Sequence, residues 1–432
     1  MGTNSPTDAP PLDMGLRIRL SIMMFLQFAV WGAWFVVFFP YLLGKGFTDT
    51  QAGALIGNMA LGAIISTMFA GYIADRFVSS ERMMAVLHLG GAGLLYWMAQ
   101  VQSPQEYGLL FGVSLGYALL YNPTLALSNS IAFTHVPNAT RDFPGLRVLG
   151  TIGWIVAGFL IDFLFKQHVT GPDGTTMDIP ASASNGPLLL AAGLSAVLGV
   201  FCLLLPHTPP TGKAGDAMPF AKAVGLFRDP SFAVFFTVSF AITIVLAFYY
   251  TCTSAFLESA AGVKDTGSTM AIGQICEMFF LPLLPLFLFR MGMKWVLALG
   301  MFCWGLRYFL FSQGGPEGFP YALVLIGVAL HGFCFDFFFA AGFIHVDNEA
   351  PTDIRASGQA LFSFLTYGVG MWIGNLAAGR LKGYFTTPDG TIDWHTFWLV
   401  PSAGVMLALL VFVIFFRMNP REKVVQEPVV AV

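Results

Sequence analysis

The chain has 432 residues, of which 56% are hydrophobic and 10% charged, with a formal net charge of -3. A water-soluble protein carries about 25% charged residues, so this composition excludes an ordinary soluble globular domain, and the small net charge gives no reason to expect a nucleic-acid partner. The five cysteines (Cys202, Cys252, Cys276, Cys303 and Cys334) all lie in apolar runs without a C-x-x-C pairing. They read as small buried apolar residues, not as disulfide or metal ligands.

The start of the chain, 1–13, is polar and Pro-rich, with no basic region and no small-residue cleavage site, so no cleaved signal peptide is expected. A helix needs about 20 apolar residues to cross a bilayer. Twelve apolar runs meet that length, at about 20–43, 51–74, 83–102, 107–133, 146–165, 187–206, 231–257, 268–289, 295–313, 320–345, 358–379 and 396–416. A less apolar stretch rich in Pro and Gly separates the sixth run from the seventh. The expected organisation is an N-terminal six-helix half (1–206), a cytoplasmic linker (207–230) and a C-terminal six-helix half with a cytoplasmic tail (231–432). The fold class is all-α integral membrane, twelve transmembrane helices in two six-helix halves.

Lysine and arginine set the orientation. With the N-terminus inside, the inner flanks hold fifteen of them: Arg17, Arg19, Arg76, Arg82, Arg141, Arg147, Lys213, Lys222, Arg228, Arg290, Lys294, Arg355, Arg417, Arg421 and Lys423. The outer flanks hold five: Lys45, Lys166, Lys264, Arg380 and Lys382. Both termini are therefore expected in the cytoplasm. Asn138-Ala139-Thr140 matches the glycosylation pattern but falls on an inner loop and reads as chance.

The second run ends Gly71-Tyr72-Ile73-Ala74-Asp75-Arg76. A glycine against which a helix can pack, followed by Asp-Arg, resembles the signature loop of the major facilitator superfamily and implies a gating role for Gly71, Asp75 and Arg76. A solvated helix end is the plain alternative. A wider set of blocks resembles the bacterial nucleoside:proton symporters of the NupG type. The blocks are Phe25-Leu26-Gln27-Phe28 with Trp31-Gly32 and Trp34; Pro123-Thr124-Leu125 with Asn129; Asp142-Phe143-Pro144 with Arg147 and Gly150-Thr151-Ile152-Gly153; Leu205-Pro206-His207; Gln274 with Glu277; Trp304 with Leu306-Arg307; Phe335-Asp336-Phe337-Phe338; Ile354-Arg355-Ala356-Ser357; and Asp393-Trp394 with Trp398-Leu399. The resemblance covers nearly the whole chain. It implies proton-coupled solute import through a major facilitator fold. The chain departs from the pattern in the seventh span, where Ala247 and Tyr250 stand at positions that carry substrate-contacting amides in that family. His331 stands for a tyrosine of the tenth span, and the aromatic of the fifth is Trp154.

The polar residues inside the apolar runs point to the same places. A charge at mid-bilayer costs at least about 2.5–3.5 kcal/mol, so it needs a partner or a cavity. The clear cases are Arg147, Glu277, Arg307 and Asp336. Gln274 and Glu277, three apart, share a helix face. An amide and a carboxyl there suit hydrogen bonding to a hydroxylated substrate and carriage of a proton, against the plain reading of a structural glutamate. Arg147, Thr151 and Trp154 form a second stripe, with a cation, a hydroxyl and a flat ring for a ring-bearing solute. Alternatively Arg147 snorkels to the interface. His331 and Phe335, four apart, line one face, with a packing histidine as the alternative. Asp336 reads as a proton or ion-pair residue, and a pair with Arg147 that protonation breaks is one arrangement. Arg307 reads as structural, either neutralising a carboxylate such as Glu277 or reaching the outer interface. Gln27 with Trp31 and Trp34, and Asn122 with Asn129, are secondary candidates; the tryptophans also suit interfacial anchors.

The expected function is import of nucleosides by alternating access, coupled to protons through Glu277 and Asp336, in the inner membrane of a bacterial cell. The substrate-binding set is Gln27, Asn129, Arg147, Thr151, Trp154, Tyr250, Gln274, Glu277, His331 and Phe335. A sugar derivative or nucleobase is the alternative solute. No enzyme activity, cofactor, metal or nucleic-acid partner is expected: the chain has neither a G-x-x-x-x-G-K-[ST] P-loop nor an H-E-x-x-H pair. A monomer is expected. A passive channel on the same scaffold would not need titratable groups at the site.

Overall fold

A chain this apolar must satisfy its backbone hydrogen bonds internally, and helices do so within one segment. The computed structural model describes residues 10–67, 78–170, 176–210, 221–351 and 354–418, and these are almost entirely helical. Among them, nine helical stretches are long and apolar enough to cross a membrane. The runs expected at about 51–74 and 83–102 are helical over Asp49–Thr67 and Ser80–Gln100 but fall outside that set. The stretch Thr266–Ser312, 47 residues long, covers two expected runs. Gly292, at φ 74° and ψ 163°, breaks it in a left-handed conformation that suits glycine. The Gly71, Asp75 and Arg76 loop lies outside the described residues.

The chain divides into two units, Met1–Ala217 with Lys264–Ala271, and Met218–Val263 with Ile272–Val432. The first contains α1 (Met14–Gly32), α2 (Phe35–Gly44), α3 (Asp49–Thr67), α4 (Ser80–Gln100), α5 (Tyr107–His135), α6 (Ala139–Phe165), the hairpin β1 (Gln167–Thr170) and β2 (Thr176–Ile179), and α7 (Gly186–Phe201). Here α1 packs on α6 and α7, α3 on α5, and α4 on both α5 and α7. A core of Leu20, Met23, Met24, Met84, Ile131 and Leu198, all fully buried, joins α1, α4, α5 and α7. The second unit contains α8 (Pro230–Ser259), most of α9 (Thr266–Phe280), α10 (Leu284–Ser312), α11 (Gly318–Ala329), α12 (His331–Phe335), α13 (Ala341–Glu349), α14 (Arg355–Ser363), α15 (Met371–Tyr384) and α16 (Trp394–Phe415). π-Helical turns join α12 to α13 over Asp336–Ala340 and α14 to α15 over Phe364–Gly370. The run expected at 320–345 is thus not one regular helix: it is interrupted at Leu330 and again over the π turn.

Carboxyl and amide side chains start several helices, accepting from backbone N–H groups that no earlier carbonyl can reach. Asp13 accepts from Leu16 N, Asn138 from Arg141 N, Asp229 from Ser231 N and Asp393 from Thr396 N. Asn138, the asparagine of the chance glycosylation pattern, is therefore a helix cap. The stretch expected as linker is anchored where it begins. Glu81 accepts from the Thr208 N–H at 3.0 Å and lies 2.8 Å from His207 Nδ1, while Thr208 O accepts from Ser80 N. Its end, Ala221–Arg228, forms a 3-10 helix.

Residues 264–271 belong to the first unit through α6. Asp162 Oδ2 accepts from the Ser268 N–H at 2.6 Å and the Ser268 hydroxyl at 2.7 Å, and Oδ1 accepts from Gly267 N at 3.3 Å. The carboxylate thus sits on the first turn of α9, where unpaired N–H groups and the helix dipole favour negative charge. Close approach is possible because a Cβ on Gly267 would lie 2.5 Å from Gly158 O. Lys166 adds an ion pair to Asp265 at 2.7 Å. Asp162→Ala strips three donors of their acceptor and is expected to lower stability by about 1–3 kcal/mol. Thermal unfolding of the purified protein in detergent checks this, and a midpoint equal to that of the unsubstituted protein would overturn the account.

Candidate functional site

In the first unit, glycines decide which side chains meet. A Cβ on Gly153 of α6 would lie 2.1 Å from Phe25 O of α1, and one on Gly32 would lie 3.1 Å from the Trp154 backbone. The two helices therefore touch backbone to backbone. That contact sets Trp31 edge-on to Trp154 at 5.4 Å and to Tyr121 at 5.9 Å. Arg147 lies over the Phe28 ring, 4.2 Å from its centroid. Thr151 and Trp154 are half-buried, and the buried Trp31 indole N–H has no hydrogen-bond partner. The expected stripe on α6 thus faces α1 and gains Trp31 as a neighbour.

Gln27 is placed differently from the expectation of a direct substrate contact. It is fully buried, and both ends of its amide are engaged inside the unit. Its Nε2 donates to Thr124 Oγ1 at 2.7 Å, and Thr124 in turn donates to Tyr121 O. Its Oε1 lies 2.9 Å from His88 Nε2, so that imidazole nitrogen carries the proton. Ser195 closes the network from α7, donating to His88 O at 2.9 Å. Gln27 braces α1 against α4 and α5. His88 and Ser195 escaped the sequence reading, because a lone histidine in an apolar run looks like packing. Asn122 also serves the bundle, donating to Met59 O and Ala118 O, while Asn129 is half-buried.

The second unit gathers the other candidates. A Cβ on Gly332 of α12 would lie 2.8 Å from Glu277 N of α9, and one on Gly273 would lie 2.8 Å from His331 Cβ. This crossing puts Gln274 and Glu277 beside His331, Phe335 and Asp336. The His331 ring stacks on Tyr249 at 5.2 Å and on Phe335 at 5.7 Å, and its Nε2 lies 3.4 Å from the Tyr250 hydroxyl. Gln274 Oε1, His331 Nδ1 and Asp336 Oδ2 are all buried without a hydrogen-bond partner. Buried polar atoms are nearly always bonded, so three unmet ones on adjoining helices mark a place built for polar contact. Asp336 opens the π turn, a distortion that recurs at functional sites.

Two further positions are placed by their packing. Ala247, expected where the family carries an amide, is fully buried, and a Cβ on Gly374 of α15 would lie 2.6 Å from its own Cβ. It packs against α15. Arg307 is fully buried and, among the described residues, pairs with no carboxylate. Its Nε donates to Gly327 O at 2.8 Å and its Nη2 to Val328 O at 3.3 Å.

Gly112-Val113-Ser114-Leu115-Gly116 fits the G-x-S-x-G pattern of serine hydrolases. That motif works on a strained strand-to-helix turn. Here Ser114 lies inside α5, donates to Phe111 O and accepts from Asn58 Nδ2 at 2.7 Å, which is a structural role. No group of three or more metal-ligating side chains occurs among the described residues.

The family model described as nucleoside H+ symporter matches residues 14–421. YegT of Escherichia coli (strain K12) is 39% identical over 418 residues, covering 95% of this chain and 96% of its own. The xanthosine permease of the same organism is 32% identical, covering 94% and 97%. Among solved structures, the nucleoside transporter NupG superposes with a TM-score of 0.83 at 29% identity, over 94% of this chain and all of that one. A peptide transporter of the POT family shares the fold, with a TM-score of 0.71 at 13% identity over 95% and 96% of the two chains. The protein is a multi-pass membrane transporter, not an enzyme, and it belongs to the nucleoside H+ symporter family.

Proposed function

We propose that this protein imports nucleosides with protons through twelve spans in two six-helix halves. Both termini are cytoplasmic, in the inner membrane of a bacterial cell. The protein works as a monomer, by alternating access. The observation that carries the residue-level reading is the crossing at Gly273 and Gly332. It sets the unmet polar atoms of Gln274, His331 and Asp336 among stacked aromatic rings. A nucleoside offers a flat base for stacking and a ribose with hydroxyls for hydrogen bonding, and this surface suits both.

In this reading Gln274, Tyr250, His331 and Phe335 contact substrate, as do Arg147, Thr151 and Trp154, with Trp31 added as an indole N–H donor. Gln27 acts indirectly, as a brace. Glu277 and Asp336 carry the coupling proton, Glu277 in linkage with substrate affinity and Asp336 in control of opening toward the cytoplasm. Gly71, Asp75 and Arg76 act in gating. Uptake is thereby driven by the proton gradient and needs no nucleotide.

Glu277→Gln and Asp336→Asn mimic the protonated forms and abolish titration. Each is expected to eliminate accumulation against an imposed pH gradient in proteoliposomes. Exchange of substrate without a gradient is expected to survive better in Asp336→Asn. If both variants concentrate substrate with unaltered pH dependence, neither carboxyl is the coupling site.

The site wall is tested separately. Cysteine placed by Thr151→Cys is expected to react with a small polar thiol reagent and to be shielded by a transported nucleoside; equal labelling with and without it counts against the stripe on α6. Tyr250→Asn changes one contact and is expected to alter the relative affinities for nucleosides, nucleobases and sugars by about 0.5–1.5 kcal/mol. Binding measured across that panel checks it, and selectivity left as before removes Tyr250 from the site. Preference for a nucleobase or sugar in the unsubstituted protein would replace the nucleoside in this reading.

A further inference from the structure

The helical ladder of the tenth span is interrupted at Leu330, one residue before His331. In a continuous α-helix the carbonyls of Gly327 and Val328 would accept from the N–H groups of His331 and Gly332. Here those two carbonyls receive the guanidinium of Arg307, from Nε at 2.8 Å and Nη2 at 3.3 Å. The same guanidinium lies 4.0 Å from the centroid of Tyr249 and 4.9 Å from that of Trp304. Both rings also touch His331: Tyr249 is stacked on it at 5.2 Å, and Trp304 is edge-on at 6.4 Å. Arg307 therefore holds both the backbone that leads into His331 and two of the rings that enclose its imidazole.

A role in fold stability alone accounts poorly for this residue. Arg307 is fully buried, pairs with no carboxylate among the described residues, and leaves its Nη1 without a hydrogen bond. A buried cation with no counter-charge is costly, and an apolar side chain of similar volume would fill the space at lower cost. What an apolar side chain cannot do is donate to two adjacent carbonyls at a break while lying on an aromatic face. A lysine ammonium has three donors but no planar fork, so it cannot set two N–H groups on adjacent carbonyls while laying a flat cationic face on a ring. We infer that Arg307 is a positioning residue for substrate selectivity, acting through His331: its contacts with the Gly327 and Val328 carbonyls and with Tyr249 fix the imidazole so that Nδ1 is presented for recognition.

This inference rests on the reading of His331 as a substrate contact, and a double-mutant cycle separates the two. Equilibrium binding of inosine and of uridine is measured on purified protein for the unsubstituted chain, Arg307→Lys, His331→Phe and the double variant. Arg307→Lys is expected to weaken the better-bound probe by about threefold to tenfold and to shift the inosine-to-uridine ratio. The double variant is expected to match His331→Phe within about twofold, because residues that act through a shared contact do not add. If the effect of Arg307→Lys is undiminished in the His331→Phe background, positioning is overturned while the site reading stands. If His331→Phe changes neither affinity, the site reading at His331 falls and takes this inference with it. Should Arg307→Lys not be recovered folded, Tyr249→Leu carries the same test, since it removes the ring shared by guanidinium and imidazole. The same loss of selectivity, absent in the His331→Phe background, supports the inference, and unaltered selectivity overturns it.

Discussion

In an apolar interior every peptide group left without a partner costs several kcal/mol, and that constraint shapes this protein more than any single contact. Regular helix satisfies it without help. Each place where the helix stops being regular must therefore be met by a side chain or by an altered turn. Carboxylates and amides at Asp13, Asn138, Asp229 and Asp393 meet it at helix starts. The π turns at Asp336–Ala340 and Phe364–Gly370 meet it by a wider ladder, and the guanidinium of Arg307 meets it at the break before His331. Two candidate substrate residues of the second unit, His331 and Phe335, lie beside such irregular positions. Polar side chains can be directed at a solute where the backbone departs from the rod that would otherwise place them.

Glycine sets the second level of organisation. Without a hydrophobic driving force between helices in lipid, association relies on close packing, and small residues allow it. Gly153 against Phe25, and Gly332 against Glu277, bring helices within backbone contact and so decide which aromatic and polar side chains become neighbours. The Trp31–Trp154 pair and the grouping of His331 with Glu277 are consequences of these contacts. They connect a sequence feature, a missing Cβ, to the chemistry of a site.

Much of this was legible in the sequence, and the remainder was not for identifiable reasons. Hydropathy located the helices because burial in lipid selects composition over whole segments, and isolated polar residues such as Glu277, Asp336 and Arg147 stood out against that background. The break at Leu330 did not stand out: averaging over about 20 residues hides one interrupted turn, and Gly327 and Gly332 are unremarkable among 47 glycines. Partners were the other gap. That Arg307 would find carbonyls, that Gln27 would be fully engaged by His88 and Thr124, and that Ala247 would be pressed against Gly374 all depend on which helices lie side by side. Spacing along one helix gives the face a residue occupies, not what the face meets.

The attachment of α9 has a consequence for observation. This helix opens in the first unit, where Asp162 holds the amide protons of Gly267 and Ser268, and continues in the second, where it carries Gln274 and Glu277. Any rearrangement that draws its first turn away from α6 must release those two protons together with the Lys166–Asp265 pair. Amide protons so held exchange with solvent deuterium only when the bonds open. The backbone N–H groups of Gly267 and Ser268 thus report from within the fold: their exchange registers the opening of the first turn, without a substrate or a substitution.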